Sequence, residues 1–378
     1  MELVGKDKVN KLLSFWRLDQ TNEPLFLELL SSIQLSESYE LIKILNDDSI
    51  LTNFTSVGVH ASFLQLLVTS KNIEEAKVYL NKYQQYLSHW CGYFHALIAF
   101  TEHDFDTVIS HLETQQGTET SNESVLLLAR AYFMKGLIND AISTLAPYIS
   151  DQENTDVIGL YALCQFDIGN YQISSDLAQV ALEKHSYNLD ATLTLASYYS
   201  IIQDLTLAEK YIERCLELNP LLGRALSLKG QLAMYTGDFS SALVALKAAT
   251  KTMPNHIGTW HLLAWTLLFN NHLADASSAF NKALELNPAF SESHGGIALV
   301  QIQNNAIEDA RNSIKRALRL DSNCFTAKFA QSLIYELEGK DNEARELVES
   351  ILDSNSHITS VSYKQLVQNA LLNMDNKN

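Results

Sequence analysis

The sequence predicts an all-α fold, an α-solenoid of stacked helical hairpins, on the evidence of three repeating features. Prolines recur every 34 residues in the second half of the chain, and alanines recur at the same interval, twelve residues before them. The prolines are Pro220, Pro254 and Pro288, and the alanines are Ala208, Ala242 and Ala276. Residues 216–220 read LELNP, and residues 284–288 repeat these letters two periods later. A fixed period of this length is typical of proteins in which each repeat stacks on the next.

One period, taken from Ile257 to Pro288, contains two helical faces. When its slots are numbered from Ile257, apolar or small side chains fall at slots 4, 7, 8 and 11, which lie on one face of a helix. A second such face follows at slots 20, 24 and 27, occupied by Ala276, Phe280 and Ala283. Pro288 ends the second helix, because proline lacks an N–H and disfavours the helical conformation of the residue before it.

This helical hairpin resembles the tetratricopeptide repeat (TPR), whose pattern is W-x2-L-G-x2-Y…A-x3-F…P. Trp260 and Leu263 match its first letters, whereas Ala264 replaces the glycine at slot 8 and Leu267 replaces the tyrosine at slot 11. The resemblance implies a right-handed TPR superhelix. The segments GTWHLLAW, SESHGGIAL and RALRLD are also similar to bacterial TPR proteins of the broad kind associated with secretion, pilus and envelope assembly.

The repeat frame predicts three parts of unequal regularity. About nine repeats are expected over residues 57–356, with the strongest pattern over residues 122–351. Residues 1–56 are predicted to form an N-terminal helical cap, which could be built on one degenerate repeat. Residues 357–378 are predicted to form a C-terminal capping helix, over Ser360–Met374, and a frayed tail. Terminal repeats are expected to be atypical because one of their sides faces water, and the absence of a Pro/Gly/Ser-rich linker predicts one continuous array.

The composition excludes several classes of function. The chain has a formal net charge of −17, which argues against nucleic-acid binding and against attraction to anionic membranes. We expect no signal peptide and no membrane insertion, since neither a basic start followed by an apolar run nor about 18 uninterrupted apolar residues occurs. The four cysteines lie far apart, and Cys215 falls at the small slot 27. Reduced thiols and a cytoplasmic location are therefore predicted.

No pattern of catalytic residues stands out in the sequence. It contains no glycine-rich phosphate loop, no GxSxG and no HExxH. His256, His261, His272 and His294 cluster loosely around one repeat, and could either bind a metal or serve as packing and surface residues. A metal site needs convergent ligands with supporting hydrogen bonds, so the second interpretation is favoured. We expect neither enzymatic activity nor a cofactor.

The concave surface is where the resemblance places function, because in TPR arrays the first helices line it with slots 2, 5, 9, 12 and 13. Most residues at slots 9 and 12 are apolar here, and slots 5 and 9 hold neither the Lys nor the Asn of the chaperone-tail clamp. An apolar groove would suit an amphipathic helix or an extended hydrophobic segment. Alternatively, the array itself covers these side chains. The candidate groove residues are Tyr93, Phe100, Arg130, Phe133, Phe166, Gln231, Met234, His261, Trp265 and Leu268.

Charged residues also fall at predicted groove slots. Slot 2 is acidic in four repeats, either because a carboxylate stabilises a helix start or because the partner carries basic residues; the four are Glu123, Asp156, Asp190 and Glu292. Arg130, at slot 9, could pair with Asp167 or with a carboxylate of the partner.

Two functions follow as hypotheses. The first is a non-catalytic scaffold or adaptor that binds a peptide or helix of a partner protein in its apolar groove. The second is a self-assembling structural TPR protein, a homo-oligomer of a secretion, pilus or envelope-assembly system, in which the apolar wall is buried between copies.

Overall fold

The computed structural model describes residues 2–87, 90–114, 121–151 and 153–353. These ranges contain 22 α-helices, two short 3-10 helices (Tyr39–Leu41 and Ala146–Tyr148) and no strand. The prediction of an all-α solenoid is thereby confirmed. The predicted capping helix over residues 360–374, the tail after it and His89, near which one weak repeat is predicted to begin, lie outside the described residues.

The chain divides into two compact units, Met1–Ile168 (unit 1) and Gly169–Asn378 (unit 2). The helices of unit 1 are α1 (Glu2–Trp16), α2 (Glu23–Leu35), α3 (Ile42–Leu45), α4 (Asp48–Leu51), α5 (Val57–Thr69), α6 (Ile73–Leu87), α7 (Trp90–Thr101), α8 (Phe105–Glu113), α9 (Asn122–Met134), α10 (Ile138–Leu145) and α11 (Thr155–Asp167). Those of unit 2 are α12 (Tyr171–Lys184), α13 (Leu189–Ile201), α14 (Leu205–Leu218), α15 (Gly223–Tyr235), α16 (Phe239–Thr252), α17 (Ile257–Phe269), α18 (Leu273–Leu286), α19 (Ser291–Gln303), α20 (Ile307–Leu320), α21 (Phe325–Leu337) and α22 (Asp341–Leu352).

The turns between the two helices of successive repeats share one backbone conformation. Slot 15 has a positive φ in each of them; the residues are Lys71, His103, Gly136, Gly169, Gln203, Gly237, Asn271, Asn305 and Gly339. The next N–H reaches back to the carbonyl five residues earlier, as in the 2.9 Å bond from His272 to Leu267, so the turn closes the end of the first helix. Glu37, 34 residues before Lys71, has a φ of 53° and is followed by the same bond, from Ser38 to Ile33. The loop after α2 therefore has the turn geometry of a repeat.

Four second helices of unit 2 (α12, α14, α18 and α20) end at an extended residue. Asn287 has φ −145° and ψ 98°, the conformation that Pro288 imposes on the residue before it. Asp321 adopts nearly the same angles, φ −146° and ψ 109°, although Ser322 stands where the proline would be. The connection between repeats is thus set by the packing of the helices as well as by proline.

Small residues let the helices of unit 2 approach closely. Ala208, Ala242 and Ala276, at slot 20, are fully buried. Phe280 on α18 is also fully buried, and a Cβ on Gly296 of α19 would lie 2.3 Å from its ring carbons. Burying a phenylalanine of this kind stabilises the fold by about 1.5–3 kcal/mol, and the glycine opposite provides the space for it.

Unit 1 has a more aromatic core. The ring of Phe26 on α2 lies 5.3 Å from that of Trp16 on α1 and stacks at 4.8 Å on Phe54. His60 on α5 is buried between Tyr79, which hydrogen-bonds its Nδ1 at 2.7 Å, and the carbonyl of Phe54, which lies 3.0 Å from Nε2. These contacts join the predicted N-terminal cap to the helices that follow it.

Candidate functional site

Unit 2 exposes a group of aromatic side chains at the end of helix α17, which we name the aromatic face. Trp265 and Phe269 lie one helical turn apart on α17, with ring centroids 5.4 Å apart. Phe239, the first residue of α16, contributes a third ring 5.1 Å from that of Phe269. Phe269 is 54% exposed and its two neighbouring rings are half-buried; an exposed apolar patch is typical of a contact surface.

The half-buried side chain of His261 contacts Trp265 of the aromatic face. The indole N–H of Trp265 donates a hydrogen bond of 3.0 Å to Nε2 of His261, and Nδ1 of His261 lies 3.1 Å from Oγ of Ser293 on α19. The rings of Phe280 and Phe290 meet the imidazole edge-on at 5.5 and 5.2 Å. The histidine thereby fixes the indole with respect to both neighbouring helices.

The protonation state of His261 follows from this environment. Burial lowers the pKa of His261 to about 4, and the nearby Glu292 carboxylate offsets only part of the effect. The imidazole is therefore neutral at pH 7, as its acceptor role towards Trp265 requires. It can neither carry a charge to a ligand at this pH nor act as an exposed base.

The other candidate residues of unit 2 have different surroundings. Gln231 and Met234 on α15 are half-buried, and a hydrogen bond from Gln231 partly offsets the rise that burial causes in the pKa of Tyr235. Leu268 is only 6% exposed and belongs to the same core cluster as Phe280. It lies one position before Phe269 on the helix and so faces inward. Its own repeats therefore cover most of the Leu268 side chain.

The five candidate residues of unit 1 are all half-buried. Tyr93 on α7 meets Trp90 and Phe94 edge-on, with centroids 5.5 and 5.3 Å away. Phe100 meets Phe105, the first residue of α8, in the same way at 5.4 Å. Arg130 and Phe133 lie on α9, and Phe166 lies on α11. These five side chains are partly covered by their neighbours and keep part of their surface exposed.

The acidic slot 2 has a structural role in one repeat. The carboxylate of Glu292 on α19 accepts hydrogen bonds from the backbone N–H of Phe325 at 3.0 Å and of Thr326 at 3.1 Å, and from the Thr326 hydroxyl. These donors begin helix α21. The capping interpretation thus holds for Glu292, with the difference that it caps the next repeat instead of its own helix.

The four clustered histidines have separate local roles. His256 caps α17, where its side chain accepts from the N–H of Thr259 at 3.2 Å. Nε2 of His294 lies 3.0 Å from the carbonyl of Pro288, and His272 precedes α18. Over the ranges that the structure describes, no group of three or more His, Cys, Asp or Glu could hold a metal ion. The four cysteines are free thiols, and burial raises the pKa of Cys215 to about 12.

Two residues of the aromatic face are absent from the sequence-based candidates. Phe269 occupies slot 13, which the resemblance assigns to the concave surface, and its aromatic character was the available signal. Phe239 occupies slot 17, a position that is apolar in most repeats. Sequence alone does not distinguish slot 17 from the core, so its contact with Phe269 could not be predicted.

The fold and the aromatic face define a helical-repeat protein with an exposed aromatic surface. Residues 189–220 and 257–290 match one tetratricopeptide repeat family, and residues 296–357 match a second. The chain therefore contains tetratricopeptide repeats. None of the described helices combines the length and the apolarity needed to cross a bilayer.

Relatives of this chain share part of its length. It is 24% identical to anaphase-promoting complex subunit 3 of Schizosaccharomyces pombe over 160 residues, and this alignment covers 42% of this chain and 24% of the relative. It is 25% identical to tetratricopeptide repeat protein 8 of Caenorhabditis elegans over 196 residues, and this alignment covers 50% of this chain and 38% of the relative. Both matches therefore span well under half of the relative. Among solved structures, Pseudomonas aeruginosa PilF gives a TM-score of 0.44 at 17% identity, over 52% of this chain and 90% of that one.

Proposed function

We propose that this protein is a non-catalytic scaffold or adaptor whose aromatic face binds an apolar segment of a partner protein, either an amphipathic helix or an extended strand. The observation that carries the proposal is the exposure of Phe269, at 54%, beside half-buried Trp265 and Phe239. A few residues contribute most of the binding energy in protein interfaces, and tryptophan is enriched among them. TPR proteins in general bind protein partners, which supports the same conclusion.

The arrangement of the aromatic face favours binding for a second reason. Trp265 is held by His261 and by contact with Phe269, so its orientation is set before a partner arrives. Ordering a mobile side chain on association costs about 0.5–1.5 kcal/mol, and here that cost is largely avoided. The partner residue expected opposite these rings is aliphatic or aromatic, since the indole N–H is already used inside the protein.

The proposal extends to unit 1 and to the cellular location. Tyr93, Phe100, Arg130, Phe133 and Phe166 are proposed as contacts of a partner segment on unit 1. A cytoplasmic location is proposed because free cysteines suit a reducing compartment.

Selection from a display library of random 16-residue peptides against the full chain tests the proposal. Selected peptides should be rich in aliphatic and aromatic residues and should bind Phe269→Ala about tenfold more weakly, a loss of about 1.4 kcal/mol. The control is Val244→Ala, which removes an apolar side chain that is 73% exposed on α16 and should leave affinity unchanged. If every selected peptide binds both variants equally, the aromatic face has no role in binding.

Sedimentation of the full chain separates this function from self-assembly. An adaptor should remain a monomer at micromolar concentration, and its mass should be the same for Phe269→Ala. A wild-type oligomer that Phe269→Ala dissociates would show instead that a second copy occupies the aromatic face.

A further inference from the structure

A groove of about 500 Å³ lies between helices α20 and α21 in unit 2. The residues that line it follow those of the aromatic face in the sequence. One rim carries three cationic side chains, spaced four residues apart on α20; they are Arg311, Lys315 and Arg319. The floor is apolar, and is formed by Ile314, Leu318 and Ile334. We name this surface the basic groove.

The charge of the basic groove is opposite to that of the chain. The whole protein carries −17, yet residues 311–319 contain four cations and no carboxylate. Arg311 pairs with Glu308 and Glu338. Lys315 and Arg319 form no ion pair in the part of the chain that the structure describes, so these two side chains are available to a ligand. A local positive stripe on an acidic protein attracts anionic groups that the remaining surface repels.

An equivalent groove three repeats earlier shows that a basic rim is not common to all such grooves. It lies between α14 and α15, has a volume of about 650 Å³ and is lined by Glu209 and Glu213. Glu209 and Glu213 precede Arg311 and Lys315 by 102 residues, three periods of 34, and thus occupy the same slots. The TPR backbone therefore forms such a groove more than once, and only the side chains decide its charge.

We propose that the basic groove docks an acidic, amphipathic segment of a partner protein. Aliphatic residues of the segment would pack on the floor, and carboxylates at its edge would face Lys315 and Arg319, which gives both affinity and orientation. Charge complementarity selects this occupant. Nucleic acid is disfavoured because a charge of −17 surrounds a stripe of only three cations. The chain's own residues 354–378 contain two lysines and one aspartate, so they lack the negative charge that the rim would attract.

Two neighbouring substitutions with the same change of charge test the proposal. Lys315→Glu reverses a charge on the rim, and Arg316→Glu reverses one on the same helix that does not line the groove. Both side chains are exposed, so both variants should fold, and circular dichroism checks this. Random 16-residue peptides are selected by display against the full chain carrying Phe269→Ala, so that the aromatic face does not dominate the selection.

The selected peptides should contain several Asp or Glu residues with aliphatic residues three or four positions apart. Their affinity should fall about tenfold with Lys315→Glu, less than twofold with Arg316→Glu, and about tenfold when salt rises from 50 to 500 mM. Equal losses for the two variants would overturn the groove as the binding site, and so would a selection without acidic enrichment. A single-stranded oligonucleotide that binds more tightly than the peptides would overturn the choice of occupant.

The outcome is independent of the proposed function. If peptides bind at the basic groove and none binds at the aromatic face, the proposed function alone is refuted. If peptides bind at the aromatic face and none binds at the basic groove, the present proposal alone is refuted.

Discussion

The indole N–H of Trp265 donates to Nε2 of His261, 3.0 Å away and one helical turn earlier on α17. An indole can only donate, so Nε2 must be the unprotonated nitrogen of the imidazole. The ring proton therefore lies on Nδ1 and is donated to Oγ of Ser293, 3.1 Å away. This single tautomer links α17 to α19 and holds the aromatic face in place.

The link predicts a dependence of stability on pH that His261→Gln should remove. The folded pKa of His261, about 4, is lower than its ordinary value of 6.5, so the unfolded chain binds the proton more readily. The contribution of the neutral ring is fully present above pH 6.5 and is lost as the pH falls towards 4. The loss amounts to up to about 3 kcal/mol. Glutamine keeps an acceptor and a donor without titrating.

Urea unfolding followed by circular dichroism at pH 7 and pH 4.5 measures this difference. Because burial also lowers the pKa of His60 and His256, the informative quantity is the pH effect in the wild type minus that in His261→Gln. If the two proteins lose the same stability between these pH values, the neutral imidazole is not a stabilising element.

Glu292→Gln should weaken the contact between successive repeats. The carboxylate accepts two backbone N–H bonds and one hydroxyl bond at the start of α21, and an amide has only one oxygen and no charge. We expect a loss of about 1–2 kcal/mol in the free energy of unfolding. Glu213→Gln, at an exposed position, should change it by less than about 0.5 kcal/mol. Similar values for the two variants would mean that the cap contributes nothing.

Gly295→Ala should disturb the same junction through packing. A Cβ at this position would lie 2.6 Å from the backbone nitrogen of Ala327 and 2.8 Å from Cβ of Thr326, so α21 would have to move away. The expected cost is about 1–3 kcal/mol. Gly58→Ala, where the nearest atom is 3.9 Å away, is the control and should be neutral or stabilising by up to about 1 kcal/mol. A melting temperature of Gly295→Ala equal to that of wild type would rule out the close approach.

The sequence predicted the repeat because the same constraint acts in every period. Ala208, Ala242 and Ala276 sit where helices touch, and each is buried as its slot requires. The turn at slot 15 was less visible, because glycine occupies it in some repeats and Asn271 or Lys71 in others. What they share is a backbone conformation, which several residue types adopt.

The candidate site was harder to predict, since exposure depends on the neighbouring repeat. Leu268 and Phe269 are adjacent in sequence, yet the first is 6% and the second 54% exposed. Glu292 caps a helix that begins 33 residues later, a relationship between repeats that local pattern does not contain. His261 was predicted to line the groove, and its contact with Ser293 on α19 could be recognised only from the positions of both helices.

In unit 1, Phe133→Ala is predicted to weaken partner binding. Phe133 is half-buried on α9 and packs against the core around Ala129 and Leu145, so it can present a fixed edge to a ligand. If it is an anchor, truncation should cost about 1–3 kcal/mol of binding free energy, which corresponds to a loss of about 5- to 150-fold in affinity. Peptides selected by display against the wild-type chain, then screened for competition with one another, supply the ligands for this measurement.

The adjacent Met134 provides the control for this substitution. Its side chain is 55% exposed, so Met134→Ala removes an accessible apolar group from the same helix without opening the core. Stability is measured in parallel, because Phe133→Ala also removes packing and should lower the free energy of unfolding by about 1–3 kcal/mol. A Phe133→Ala protein that remains folded and binds every selected peptide as tightly as Met134→Ala would exclude Phe133 from the binding surface. A loss confined to peptides that Phe269→Ala does not affect would establish that unit 1 binds a segment of its own.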